Sequence, residues 1–374
     1  MSHSSMIADA SRVEQELRHL WREEAEKSSA GPVLCSRTLN LIIYCRAASD
    51  LQQAAELLDP IVTQHPCRAI LISPAAADAE QAIQTEVSAS CLTSHSGNRY
   101  IGRELISITA QPAAQKQLAS IVRALVLPDL PVFLWWRDAQ TLGSELFQQL
   151  SEVAARIILD SAGLEDLQAD WPRIHSLFQR PKIAISDLAW SRLTSWRQLI
   201  AQLFDGPARA QYLPHLSRII VEYGEENKRD RVPADALLLA AWLARQLGFQ
   251  HPRPAAPVEA AGHRAFAWEL SGSGSGLRIE LRKAKHIAHG VTAVLLSCRQ
   301  EAPASFVVSR TQDGKSLATR AELPGIAPMR RLVRTGDESP SRLVSSELEI
   351  LGRDSLYEQV LRFASDLAPA LSAA

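Results

Sequence analysis

Thr38-Leu-Asn-Leu-Ile-Ile-Tyr44 is a run of almost unbroken apolar residues, interrupted only by Asn40. A strand with one wet face would alternate apolar and polar residues, so this run predicts a strand buried on both faces. Such strands occur in parallel sheets covered by helices above and below. The neighbouring segments fit that reading. Ser49 and Asp50 are placed to cap a helix starting at Leu51, with Pro60 near its expected end. Arg68–Ile72 (RAILI) predicts a second strand and Glu104–Thr109 (ELISIT) a third. Leu118, Ile121, Val122 and Leu125 recur at helical spacing within Gln115–Val126. The turn Pro128–Pro131 (PDLP) then opens the strand Val132–Trp136 (VFLWW), and the helix Glu145–Ala154 leads to Arg156–Asp160 (RIILD). Strands joined by helical crossovers predict a doubly wound, largely parallel α/β domain over residues 31–165. Before it, residues 1–30 form an extension whose Val13, Leu17, Leu20 and Trp21 mark an amphipathic helix.

Beyond residue 165 the pattern changes. Leu164 to Phe204 is mainly helical in spacing, Leu216–Tyr223 is strand-like, and Pro233 opens a helix over Ala234–Leu247 that Gly248 stops. His251–Pro257 is proline-rich and predicts a connector. Short strands come next at Ala265–Leu270, Leu277–Lys283, Val291–Cys298 and Ser305–Ser309, with Gly, Ser, Asp and Lys between them. A last helix is expected from Asp354 to Leu367. The stretch 166–374 is therefore expected to be one α+β domain with an antiparallel sheet. Two domains also suit a chain of 374 residues, which is too long for one ordinary core.

Bulk chemistry narrows the function. With 40 basic against 41 acidic residues the net charge is -1, so no broad field favours nucleic acid or an anionic membrane. No apolar run reaches membrane-spanning length, and the N-terminal stretch lacks the apolar core of a secretory signal. Cys35, Cys45, Cys67, Cys91 and Cys298 are odd in number and have no C-x-x-C spacing. That pattern points to inert thiols in a reducing cytoplasm rather than a disulfide frame or zinc site.

Each stretch that suggests chemistry has a plainer explanation. Ser271–Gly276 (SGSGSG) has glycines but lies between two strands, whereas a phosphate loop opens a helix. A hairpin loop is expected there. The first strand-to-helix connection, Cys45–Asp50 (CRAASD), has no glycine, so the α/β domain is Rossmann-like without the glycine fingerprint and no nicotinamide cofactor is expected. His286 and His289 fall in a turn with no acidic or Cys cluster nearby, so no metal is expected. No nucleophile elbow, H-E-x-x-H, kinase or Walker pattern occurs. Asp160 and Ser161 come just after a parallel strand, which is where α/β folds usually place ligands. Trp135 and Trp136 are adjacent, so their rings must leave the strand on opposite sides. Trp190, Arg192, Trp196 and Arg197 combine the residue types that dominate protein interfaces, and they are the candidate partner contacts.

Six stretches carry a resemblance. Thr38–Cys45 (TLNLIIYC), His65–Ile72 (HPCRAILI), Leu127–Arg137 (LPDLPVFLWWR), Asp187–Arg197 (DLAWSRLTSWR), Arg231–Gly248 (RVPADALLLAAWLARQLG) and Leu351–Leu361 (LGRDSLYEQVL) resemble the glucose-6-phosphate dehydrogenase assembly protein (OpcA) family. They keep the family's order from about residue 30 to 365, and the third and fourth are the most specific. Cys67 departs from the family's usual small residue such as Ser. The resemblance implies an N-terminal α/β domain, a C-terminal domain of different build, no catalysis, and a complex that activates glucose-6-phosphate dehydrogenase in the oxidative pentose phosphate pathway. The alternative, read from the strand ends at Asp160 and Ser161, is a regulatory protein that senses a sugar phosphate or nucleotide.

Overall fold

The computed structural model describes all residues except 1, 8, 28–36, 77–78, 94–99, 225–230, 257, 261–262, 273–275, 285–289, 351 and 373–374. The chain divides into two compact units. The first comprises residues 1–163, 177–188 and 339–353, and the second 164–176, 189–338 and 354–374.

The first unit is built on an eight-stranded sheet. Its strands are β1 (Ser2–Ile7), β2 (Leu39–Tyr44), β3 (Cys67–Pro74), β4 (Ile83–Thr93), β5 (Tyr100–Ala110), β6 (Val132–Trp136), β7 (Arg156–Leu159) and β8 (Ala184–Asp187). They lie in the order β1-β4-β5-β3-β2-β6-β7-β8. From β5 to β8 all neighbours are parallel, while β4 and β1 run antiparallel at one edge. Counted in chain order, the six parallel strands read 3-2-1-4-5-6, the order of a dinucleotide-binding doubly wound fold. β2 is buried at every position, as its continuous apolar run requires.

Alternation along the strands gives the sheet two filled faces. Leu41, Ile43, Ala69, Leu71, Phe133 and Trp135 pack with the helices Asp50–Gln64 and Pro340–Glu349. The odd face holds Trp135, so Trp136 projects from the other, where it stacks on Tyr44. Both indoles are buried. The helix starting at Asp50 runs on through Pro60 to Gln64 instead of ending near the proline. Pro60 cannot donate to the Glu56 carbonyl, but both residues are exposed, so water can satisfy that oxygen. Leu58, Ile61 and Val62 are fully buried and hold the helix down across the break.

Asn40, the one polar residue in the deciding strand, is buried and clamps the turn before β6. Its Nδ2 donates to the Leu127 and Leu130 carbonyls at 3.1 and 3.3 Å, and its Oδ1 accepts from the Leu127 amide at 2.8 Å. The turn reverses through Asp129 at φ 65°, a conformation that Asp tolerates better than most residues. Asn40→Ala strands these buried groups. It should lower the unfolding free energy of the first unit by about 1–3 kcal/mol, seen as faster hydrogen exchange of the β2 amides under increasing urea.

Buried charge also ties the first unit together. Glu104 on β5 is 1% exposed and accepts from Arg68 Nε at 2.9 Å, Trp21 Nε1 at 2.7 Å and the Arg37 guanidinium. Arg68 on β3 reaches Glu14 as well, and donates to the Leu125 carbonyl at 2.9 Å. Trp21 and Glu14 belong to the helix Ala10–Lys27, so this network fastens that helix to two strands.

The second unit has a nine-stranded sheet of β9 (Leu216–Tyr223), β10 (Gln250–Pro254), β11 (Val258–Ala260), β12 (His263–Ser271), β13 (Gly276–Lys283), β14 (Val291–Cys298), β15 (Ser305–Arg310), β16 (Ser316–Leu323) and β17 (Ile326–Arg334). The order is β10-β12-β13-β9-β14-β15-β16-β17, with β11 on β12. Only the β9–β13 pair is parallel, so the sheet is mostly antiparallel. Ile219, Val221, Ile279, Leu281, Val294 and Phe306 form its buried face. Against it lies the helix Ala234–Gln246, buried along almost all its length, and the helix Ser355–Leu367 packs on that one. The expected connector His251–Pro257 is in part the edge strand β10. Its prolines are tolerated because an edge strand has one unpaired side, and the register shifts between Gln250 and Arg253.

Glu280 on β13 is fully buried on the sheet's other face beneath three arginines. Arg218 donates through Nε at 2.9 Å, Arg278 through Nε at 2.9 Å, and Arg282 through Nε at 2.9 Å and Nη2 at 2.5 Å.

Candidate functional site

In a doubly wound sheet the ligand crevice opens where the strand order reverses, at the carboxyl ends of the two central strands. Here those strands are β2 and β6, and side chains of the chain itself fill the place. Tyr44 and Trp136 stack with centroids 3.9 Å apart and planes 5° from parallel. Phe147 meets Trp136 edge-on at 5.0 Å, and Trp136 Nε1 donates to Thr141 Oγ1 at 3.1 Å. The Arg137 amide donates to the Tyr44 carbonyl at 3.0 Å, so the two strands stay bonded past their last strand residues.

The turn Cys45–Asp50 lies where a pyrophosphate would meet helix-terminal amides. It offers no such seat. Asp50 Oδ2 accepts from the Ala47 amide at 3.2 Å, placing a carboxylate at the start of the helix Asp50–Gln64. Arg137 crosses the mouth of this turn, donating to Gln53 Oε1 at 3.2 Å with its guanidinium carbon 5.3 Å from the Trp135 ring centre. With a carboxylate at the helix start and no glycine in its backbone, the turn departs from the dinucleotide fingerprint.

Farther along the same edge, Asp160 and Ser161 come directly after β7. The Ser161 amide donates to Asp187 Oδ1 at 2.9 Å, and the Ala162 amide to Asp160 Oδ1 at 3.2 Å. Asp187 is itself buried at the end of β8. The strand-end loop is thus organised by its own carboxylates.

For the three cysteines whose side chains are described, Cys45, Cys67 and Cys298, thiol chemistry has little support at neutral pH. Burial pushes the Cys45 thiol up, with Arg137 offsetting only part of it. Burial also raises Cys67 to about 12 and Cys298 to about 11. A thiol held protonated is a poor nucleophile and a poor metal ligand. Among the described residues no group of three or more His, Cys, Asp or Glu is arranged to hold a metal. His286 and His289 lie outside the described residues. No helix of the described residues is long and apolar enough to cross a membrane. The Ser271–Gly276 segment joins antiparallel β12 to β13, so it spans a hairpin.

The proposed contact group sits on the helices Leu188–Arg192 and Thr194–Leu203. Trp190 and Trp196 are buried. Trp190 Nε1 donates to Asp354 Oδ2 at 2.9 Å, and its ring lies 5.8 Å from Tyr357. Arg197 stacks over Trp190, its guanidinium carbon 3.5 Å from the ring centre. Its nitrogens donate to the Trp190 carbonyl at 3.2 Å and Thr194 Oγ1 at 3.1 Å. Arg310 lies 5.8 Å from the Trp196 ring. Arg192 and Arg197 are half-buried, so the arginines carry the accessible part of the group. Nearness in sequence puts the four on two successive helices, and of them the structure joins Arg197 to Trp190. The closing of the switch point by Tyr44, Trp136 and Arg137 had no such signal beyond the aromatic pair in VFLWWR.

Comparison with known proteins bears on both places. Residues 59–176 match the model of the glucose-6-phosphate dehydrogenase subunit N-terminal domain, and residues 183–361 that of the subunit's C-terminal domain. A protein of Nostoc punctiforme named as an OxPP cycle protein, OpcA, is 25% identical over 327 residues, covering 83% of this chain and 67% of its own. The protein of that name from Synechococcus elongatus is 33% identical over 199 residues, covering 53% of this chain and 43% of its own. Among solved structures, a mutant 3-ketoreductase of Actinomadura kijaniata in complex with TDP-benzene and NADP superposes with a TM-score of 0.50 at 11% identity, over 90% of this chain and 98% of that one. That likeness is one of fold.

Proposed function

We infer the role of this chain from one premise: it belongs to the glucose-6-phosphate dehydrogenase subunit (OpcA) family, whose two domain models match it in order over most of its length. We propose that it is a non-catalytic assembly factor and activator of glucose-6-phosphate dehydrogenase in the oxidative pentose phosphate pathway. The family match is the observation that carries this reading. The site geometry supports it, because the crevice in which an oxidoreductase of this fold would hold its nucleotide is filled by Tyr44, Trp136 and the Asp50 carboxylate.

A chain without chemistry of its own acts by differential binding. If it binds the active form of the enzyme better than the inactive form, it shifts the population toward activity. Coupling of about 1–3 kcal/mol corresponds to roughly 5- to 150-fold in apparent affinity for substrate. The contact candidates are Arg192 and Arg197, together with the buried Trp190, on whose ring the guanidinium of Arg197 is held, and the buried Trp196. An arginine already fixed on a ring loses less freedom when a partner carboxylate meets it.

The test mixes the purified chain with glucose-6-phosphate dehydrogenase of the same organism and monitors NADP reduction at low glucose 6-phosphate. The expected result is a rise in kcat/KM within that range, saturating with added chain. Identical kinetics with and without the chain would sink the proposal.

A further inference from the structure

We propose that the outer edge of β17, with the cleft beside it, docks an extended acidic segment of the partner enzyme. This surface rests on the activator role, and it supplies the contact face which that role requires.

Strand β17 ends the nine-stranded sheet, and among the described residues no strand pairs with its far side. It is nine residues long, and from Met329 to Arg334, beyond Pro328, it keeps a row of backbone donors and acceptors able to take another strand. Proteins commonly blunt such edges with charge, and β17 does carry Arg330, Arg331 and Arg334. A purely protective edge would have no use for exposed aliphatic side chains. Yet Leu332 is 66% exposed and Ile326 53%, the two most exposed large hydrophobics among the described residues. Arg330, Leu332 and Arg334 alternate on one face of the strand, so a bound strand would meet basic, apolar and basic positions in turn.

The other face of β17 borders a cleft. Met329, Arg331 and Val333 face the helix Thr194–Leu203 across two adjoining hollows of about 220 and 160 Å³, which share Leu199, Gln202 and Arg331. Arg331 donates to Gln202 Oε1 at 3.1 Å. Asp205 lines the cleft too, and its carbonyl accepts from Arg209 at 2.6 Å. Among the described residues neither Arg330 nor Arg334 has a carboxylate partner, whereas the neighbouring Arg320 is paired with Glu322. The helix bounding the cleft is the one that carries Trp196 and Arg197, so the edge is continuous with the tryptophan–arginine contact group.

Charge selects the occupant. A second copy of this chain pairing edge to edge would set these arginines against one another, which is unfavourable for directly opposed like charges. An extended segment with carboxylates at positions i and i+4 and a small apolar residue at i+2 would instead satisfy both the guanidiniums and Leu332.

The experiment measures binding of the full chain to intact glucose-6-phosphate dehydrogenase by calorimetry. The arms are the wild type, Arg330→Glu/Arg334→Glu, Leu332→Asp, and Arg253→Glu on the opposite edge strand β10 as control. All four positions are accessible, and matching melting curves check that each variant is folded. The expected result is a Kd raised at least about tenfold by the double reversal and by Leu332→Asp, unchanged by Arg253→Glu. The wild-type Kd should also weaken with salt more steeply than that of the double variant. If the wild type binds and the two β17 variants bind equally well, the surface is wrong and the activator reading stands. If the wild type does not bind the enzyme, that reading fails and the docking proposal with it. A concentration-dependent dimer of the chain alone that the double reversal abolishes would overturn the proposal in favour of self-pairing.

Discussion

Replacing Glu104 by alanine should lower the unfolding free energy of the first unit by about 3–5 kcal/mol, the usual cost of deleting one member of a buried ion pair. The size reflects the groups left behind. Arg68 is 3% exposed and would keep only the Glu14 carboxylate on the surface helix and the Leu125 carbonyl. Trp21 Nε1 and Arg37 would lose their acceptor in the same step. Because the chain has two units, a single global transition is a poor measure. Hydrogen exchange of β3 and β5 amides under increasing urea isolates the effect. The companion variant replaces both Arg68 and Glu104 with apolar residues of similar volume. It should recover most of the loss, since the cost lies in the orphaned charge. A single Glu104→Ala that exchanges like the wild type would show that Glu14 alone sustains Arg68.

The second large effect concerns Glu280 and acid. Burial alone would raise its carboxyl, but hydrogen bonds from Arg282, Arg278 and Arg218 outweigh burial and hold it below the usual carboxylate range. A carboxyl depressed in the folded state binds its proton less readily there than in the unfolded chain. Its stabilisation is therefore complete above the unfolded value, about 4.3, and is lost as pH falls through the lower folded value. Glu280→Ala should cost the second unit about 3 kcal/mol at pH 7, the lower end for a buried pair, because the three arginines keep partial access to water. Glu280→Gln should flatten the acid limb of the stability curve below about pH 4.3. Hydrogen exchange of β9 and β13 amides in wild type and variants, compared at each pH from 3 to 7, reads both. An acid limb unchanged by Glu280→Gln would assign the loss to other carboxylates.

How much of this the sequence revealed depended on whether a segment was buried on two faces or one. The run TLNLIIY could be read because both faces of β2 are covered and little polarity dilutes the pattern. The same holds for RAILI, VFLWW and RIILD. The strand β4 (IQTEVSASCLT) escaped notice because Ser, Thr, Gln and Glu outnumber its apolar residues. Strands β16 and β17 escaped for a related reason. Their Arg and Glu residues face outward and hide the period-two signal, above all along the exposed β17. The contact candidates Trp190, Arg192, Trp196 and Arg197 were legible as residue types on one helical stretch. The stacking of Arg197 on Trp190 was not, nor was the burial of both indoles. The Glu104 and Glu280 networks were beyond sequence reasoning, because each joins residues from elements whose adjacency only the sheet order reveals.

The first unit is assembled from three separate stretches, and the last of them, residues 339–353, supplies Leu343, Val344 and Leu348 to its core. During translation these side chains leave the ribosome only after the whole of β9–β17 has been made. The N-terminal strands must therefore wait, with the apolar face of β2 and β3 lacking part of its cover, until the second sheet has emerged. Domains usually fold in order as they are synthesised. Here the first to appear is among the last to be finished, and a ribosome stalled before residue 339 would release a chain that exposes this unfinished core to chaperones and proteases.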